Sequence, residues 1–138
     1  MSDDGEIRSL LARLAQLADS GDLDTYLTLF TKDAEWVIPE IPQTGVPASV
    51  RNGVDEIAAG VRERRAAGVQ GPGSNTAHMV TTIAVAFEND DLAVADSTWM
   101  FLGDTATAPR IQSFGRYHDT LRRVDGAWRL ARREIHLG

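Results

Sequence analysis

Apolar residues recur every three to four positions at the start of the chain. Ile7, Leu10, Leu11, Leu14, Leu17 and Ala18 fall on one stripe, which predicts an amphipathic helix over residues 4–19. Ser20-Gly21 ends it, with glycine where a left-handed residue is common. Asp22 is placed to cap a second short helix carrying Leu23, Tyr26, Leu27, Leu29 and Phe30. AEWVIP, stopped by Pro39, then reads as a first strand. Residues 39–52 hold three prolines and a glycine and read as an irregular loop. Val54, Ile57, Ala58 and Val61 mark a third helix, with Arg62, Arg64 and Arg65 near its C-terminal end, where cations suit the dipole. Gly68 and Gly71-Pro72-Gly73 break the chain again.

Beyond these glycines the spacing changes to that of strands, over 76–88, 91–103 and 109–124. Asn89-Asp90 is the first turn signal, and the stretch from Gly103 to Pro109 is the second. Val124-Asp125-Gly126 turns the chain into a last strand, AWRLARREIH. Helices grouped at the front, followed by consecutive hairpins, give an α+β class: a curved, mostly antiparallel sheet wrapped over the N-terminal helices. A sheet curled over a long helix is cone-shaped and leaves an internal pocket. With 138 residues the chain suits a single domain, 1–138.

Composition narrows the classes of function. A net charge of -6 argues against nucleic acid or an anionic membrane as the main partner. There is no cysteine, so disulfides, thiolate nucleophiles and thiolate metal sites are excluded. The acidic N-terminus lacks the profile of a secretory signal, and no apolar run has membrane-spanning length, so a cytoplasmic protein is expected. The three histidines show no HxH or HExxH spacing, and no nucleophile elbow or dinucleotide fingerprint occurs. The expectation is chemistry without metal or cofactor.

The chemistry-bearing candidates are few. His78 opens the strand HMVTTIAVAF, in which His78, Val80, Thr82 and Ala84 share a small, polar face suited to lining a cavity. Asp19 stands in the last turn of the first helix, against the negative end of its dipole, where an imidazolium would offset an unfavourable position. A surface histidine and an ordinary helix-exit turn are the alternatives. Arg133 is expected on the face of the last strand opposite Trp128 and Leu130, absent a bulge, where it could neutralise an oxyanion or form a surface ion pair. Arg116, Tyr117, His118 and Asp119 alternate along one strand, so one pair faces the cavity. Asp33 reads as a turn former. Tyr26 and Tyr117 are the available phenols, and Trp36, Trp99, Phe101 and Phe114 are candidates for an apolar wall.

Four stretches resemble one family: LARLAQLADSGDLDTYLTLFTKDAEWVIP, RNGVDEIAAGV, HMVTTIAV and RRVDGAWRLARREI. Together they are similar to the SnoaL-like branch of the nuclear-transport-factor-2-like superfamily, across nearly the whole chain. The resemblance implies that Asp19 and His78 form a catalytic dyad like that of scytalone dehydratase or hexachlorocyclohexane dehydrochlorinase, with Arg133 at the leaving-group position. Leu14 stands where the dehydrochlorinase has a functional lysine, which argues against haloalkane elimination.

The implied activity is that of a cofactor-independent lyase or isomerase, dehydratase-like, acting on a small cyclic or polyketide- or steroid-like substrate. Tyr26, Trp36, Trp99, Phe101, Phe114 and Tyr117 would bind that substrate. The alternatives are a non-catalytic ligand-binding or structural protein of the same fold, and a cyclase or isomerase with Asp96 or Asp119 as base. A homodimer through the outer sheet face is expected, with Trp99 and Phe101 as its anchors.

Overall fold

The computed structural model describes residues 2–40 and 47–138. Helix α1 (Asp3–Ser20) starts where Ser2 Oγ accepts the Gly5 N–H at 3.1 Å, and Asp3, Asp4 and Glu6 in its first turn suit the dipole. Ile7, Leu10, Leu11 and Leu14 are its buried stripe. Gly21 ends the helix with φ −95°, in extended rather than left-handed conformation. Glycine is needed there because a Cβ would lie 2.7 Å from Leu17 Cα. Helix α2 (Leu23–Leu27) is capped by Asp22, whose carboxylate accepts the Thr25 N–H at 3.0 Å.

Strand β1 (Phe30–Ile38) begins four residues earlier than its apolar stretch suggests. Phe30 pairs with Leu130, and the Leu130 N–H donates to Leu29 O at 2.8 Å, so partnership with a distant strand overrides helical spacing. The expected loop over 39–52 includes residues 41–46, which lie outside those described. Its last four residues form a short strand, β2 (Ser49–Asn52), paired antiparallel with β1. A strand that short, with no buried residue, leaves no periodic signal. Helix α3 (Val54–Ala66) follows, then β3 (Ala77–Asn89), β4 (Leu92–Gly103), β5 (Arg110–Val124) and β6 (Ala127–Leu137). The sheet order is β2-β1-β6-β5-β4-β3, antiparallel except for β1 with β6. Asp125 and Gly126 both have positive φ, as a two-residue hairpin turn with the right twist requires.

The core forms where α1 lies against the inner face of the sheet. Its stripe packs with Ala93, Ala95, Leu121, Trp128 and Leu130. Burying such side chains stabilises by about 1.5–3 kcal/mol each.

Two bulges decide which residues reach that inner face. In β3 the register jumps between Thr81, opposite Thr98, and Ala84, opposite Asp96, and Thr82 has φ +54°. The extra residue exchanges the faces. His78 and Val80 point inward before the bulge, and Ile83 and Val85 pack on the core after it, so the single face through Thr82 and Ala84 read from the sequence does not exist. In β6, Leu121 pairs with Leu130 but Thr120 with Arg132, leaving Ala131 as the bulge. Arg133 is thereby turned to the same inner face as Trp128 and Leu130, not the opposite one.

Candidate active site

Asp19, one residue from the end of α1, meets His78, the second residue of β3. Asp19 Oδ1 lies 2.7 Å from His78 Nδ1, and the His78 backbone N–H donates to the same carboxylate at 2.9 and 3.1 Å. Backbone and ring are therefore held by one group. The helix end that carries Asp19 is itself clamped. Arg65 Nη2 donates to Leu17 O, Ala18 O and Gly21 O at 3.0, 3.3 and 3.0 Å, supplying the positive charge that this helix terminus lacks. Gly71 (φ +88°) leaves room for that arginine, since a Cβ would lie 2.7 Å from Arg65 Cγ.

On its other edge the imidazole meets Gln70. Arg64 Nε donates to Gln70 Oε1 at 2.6 Å, and Gln70 Nε2 lies 3.0 Å from His78 Nε2. A guanidinium only donates, so the glutamine oxygen must face it and the amide nitrogen must face the ring. The amide N–H then donates into the Nε2 lone pair. The ring proton sits on Nδ1 and donates to Asp19, leaving Nε2 as an acceptor, the state a general base requires. The ring is flanked by Phe101 at 4.8 Å between centroids.

Around this chain lie three hollows with shared walls. A narrow inner recess of about 30 Å³, room for one water, is lined by Leu14, Tyr26, Trp36, His78, Tyr117 and Arg133, among others. The main chamber, about 210 Å³, has walls of Trp36, His78, Trp99, Phe101, Ser113 and Tyr117. A vestibule of about 380 Å³ is bordered by Phe101, Ser74, Thr76 and Asp104. Arg64 and Gln70 line all three. Leu14 thus occupies the recess as an apolar wall.

Arg133 is buried at 4% exposure, and its Nε and Nη2 bind the two oxygens of Asp119 at 2.8 and 2.9 Å. Burial pulls its pKa down, but the Asp119 carboxylate more than offsets this and holds it above the ordinary arginine value. The guanidinium lies 3.8 Å over the Tyr117 ring, which stacks on Trp99. Burial raises the Tyr26 phenol to about 12 and raises that of Tyr117, so both remain O–H donors at neutral pH.

Of the alternating residues in β5, Tyr117 and Asp119 face inward, whereas His118 pairs with Asp96 at 2.6 Å on the outer face. Neither sheet aspartate is free to act as a base: Asp96 is outside, and Asp119 is consumed by Arg133. Phe114 does not join the apolar wall. It alternates with Gly115 and Ser113 and stands 46% exposed on the outside. Trp99 and Phe101 line the chamber, so they do not anchor an outer-face interface. Nothing in the sequence marks Gln70, Arg64 and Arg65 as site residues. Two arginines read as dipole partners, and a glutamine between glycines carries no signal of its own. Among the described residues, no three His, Asp or Glu side chains converge as metal ligands, and no helix is long and apolar enough to cross a membrane.

Comparison with known proteins gives a match to the SnoaL-like domain over residues 1–134. The chain is 29% identical to the small oxygenase component of the p-cumate 2,3-dioxygenase system of Pseudomonas putida, over 96% of this chain and 77% of that one. Among solved structures it is similar to an NTF2-like protein with a cystatin-like fold from Novosphingobium aromaticivorans (TM-score 0.79, 27% identity, covering 98% of this chain and 81% of that one). A scytalone-dehydratase-like protein of the same organism superimposes with TM-score 0.73 at 20% identity, covering 99% and 84%. That likeness is one of fold.

Proposed function

We propose, for a chain that belongs to the SnoaL-like domain family, an acid–base lyase or isomerase in which His78 removes a proton from a small cyclic substrate. One observation carries this reading: the directional chain Arg64–Gln70–His78–Asp19, which fixes the ring proton on Nδ1 and keeps Nε2 an acceptor beside an aromatic chamber. His78 Nε2 takes a proton from a carbon next to a carbonyl, and the electron pair moves into the carbonyl as an enolate. Asp19 holds the ring and stabilises the imidazolium that forms. In a dehydration, the imidazolium returns its proton to a departing β-hydroxyl, which leaves as water. In an isomerisation, the proton returns to a different carbon. Either way the base ends as it began, and no co-reactant is consumed.

Tyr117, a neutral donor in this pH range on the chamber wall, stabilises the developing oxyanion, and Tyr26 acts from the recess through the one water it has room for. Arg133 has spent two nitrogens on Asp119, so its part is to position Tyr117 beneath it. Trp36, Trp99 and Phe101 pack against the ring, and larger polyketide- or steroid-like substrates extend into the vestibule. The test is a turnover screen of cyclic β-hydroxy ketones, with and without a carboxylate, against wild type, His78→Ala and Asp19→Asn. Turnover lost in both folded variants supports the mechanism, and turnover retained in both rejects it.

A second reading, a non-catalytic partner subunit, is favoured by the similarity to the p-cumate dioxygenase component. The hydrogen-bonded, part-buried dyad beside the chamber weighs toward the enzyme. Homodimerisation belongs to the proposal as well. With Trp99 and Phe101 turned inward, the outer face offers Met79 and Phe114, both exposed, as anchors.

A further inference from the structure

The charges along the cavity axis do not balance. Arg133 is cancelled by Asp119, and Arg51 pairs with Glu63 at 3.1 Å. Arg65, on three carbonyl oxygens at the helix end that carries Asp19, supplies the positive charge that answers this carboxylate, since His78 is neutral. Arg64 is left over. It donates Nε–H to the neutral Gln70 amide and makes no ion pair among the described residues. It also sits close to a like charge: a Cβ on Gly60 would lie 2.9 Å from Arg51 Nε and 3.1 Å from Arg64 Nη1. Burial is the largest effect on the Arg64 pKa and lowers it, with Arg51 acting the same way and Tyr26, Glu63 and Tyr117 offsetting part of the fall, and a guanidinium stays charged at neutral pH. A cation without a direct ion pair, partly withdrawn from water on a wall of aromatic rings, costs free energy that an anionic ligand would recover.

We propose that Arg64 is the anion-recognition residue of this site, and that the substrate is a small ring compound bearing a carboxylate. This deepens the reading above and rests on it for the chamber being the substrate site. The ring fits between Trp36, Trp99 and Phe101, and the chamber, at about 210 Å³, is smaller than the roughly 300–1,000 Å³ of drug-sized sites, which suits one or two rings. The carboxylate also resolves a difficulty in the resting geometry. Gln70 occupies the His78 Nε2 lone pair, so the base is masked until the amide moves. A carboxylate brings a full opposite charge and can accept from two guanidinium N–H groups at once, which the single oxygen of a neutral amide cannot match. It therefore displaces Gln70 Oε1 from Arg64, and the released side chain frees Nε2. Gln70 lies between Gly68 and Gly71, both at positive φ, on a segment outside helix and strand that can take up this movement. Recognition of the acid thus exposes the base.

The probes are benzoate and its neutral isostere benzamide, with binding followed by calorimetry on the full chain. Wild type should bind benzoate about 10-fold tighter than benzamide. The preference should vanish in Arg64→Gln, survive in Arg64→Lys, and survive in His78→Gln. In Gln70→Ala, benzoate should bind more tightly, because its competitor for Arg64 is gone. Equal affinities in wild type, no saturable benzoate binding, or a preference that persists in Arg64→Gln would overturn the proposal. Should Arg64→Gln not fold, a crystal of wild type with benzoate decides. A carboxylate at hydrogen-bond distance from the Arg64 guanidinium supports the assignment, and a carboxylate held elsewhere rejects it. Loss of the anion preference would leave the dyad mechanism standing, since its screen includes neutral ketones. Failure of that screen would leave benzoate binding in His78→Gln intact.

Discussion

At Asp19 a single carboxylate does two jobs, fixing the His78 ring through Nδ1 and its strand through the backbone N–H. Asp19→Asn presents an N–H where Nδ1–H needs an acceptor, which favours the other tautomer and removes the charge that stabilises an imidazolium. The expected loss in turnover is about 10²–10⁴-fold for Asp19→Asn and for His78→Ala, with the unfolding midpoint of each variant measured alongside. Arg133 and Asp119 behave differently, because both are buried and each compensates the other. Removing one partner, as in Asp119→Ala or Arg133→Met, should cost about 3–5 kcal/mol in urea unfolding. The double variant should be less destabilised than the sum of the singles, because no charge is then left alone.

Helices and strands were legible where one face is buried along their whole length. The stripe from Ile7 to Leu14 marks α1, and the hairpin turns mark β3 to β6, because their spacing is local. Faces of the long strands were not legible, since single extra residues at Thr82 and Ala131 reverse them, and a bulge is set by the partner strand. That is why Arg133 lies on the side opposite to expectation, while β2, four residues with none buried, left no trace because it is short and has no core face. The position of Asp19 against its helix dipole was visible, but the answering charge came from Arg65, in another helix. Gln70 could be recognised only once α3 and β3 were placed together.

A close approach of β4 and β6 to Gly115 in β5 is a second feature of this kind. A Cβ on Gly115 would meet the His136 carbonyl oxygen and lie 2.7 Å from Trp99 Cζ2. Gly115→Ala should therefore destabilise by about 1–3 kcal/mol and displace the chamber wall, seen as a change in tryptophan fluorescence.

For the whole molecule, buried phenols set the alkaline limit. Tyr26 ionises at about 12 in the folded chain, above its ordinary value of 10.0, because burial disfavours the phenolate. The folded state then binds more protons than the unfolded one, so this stabilisation is complete below pH 10 and is lost as pH rises towards 12. Tyr117 acts in the same direction. Tyr26→Phe should flatten the fall in stability across that window in denaturant titrations. At the same scale, sedimentation should give a dimer that Phe114→Asp converts to monomer, and a monomeric wild type would remove that part of the proposal.

Proton abstraction by His78 can be followed without knowing the natural product. Cyclic keto acids, whose carboxylate frees Nε2, report it by NMR in D2O as deuterium entering the carbon next to the carbonyl. Wild type should catalyse that incorporation, and folded His78→Ala and Asp19→Asn should not. Incorporation at equal rates in all three proteins would contradict the account.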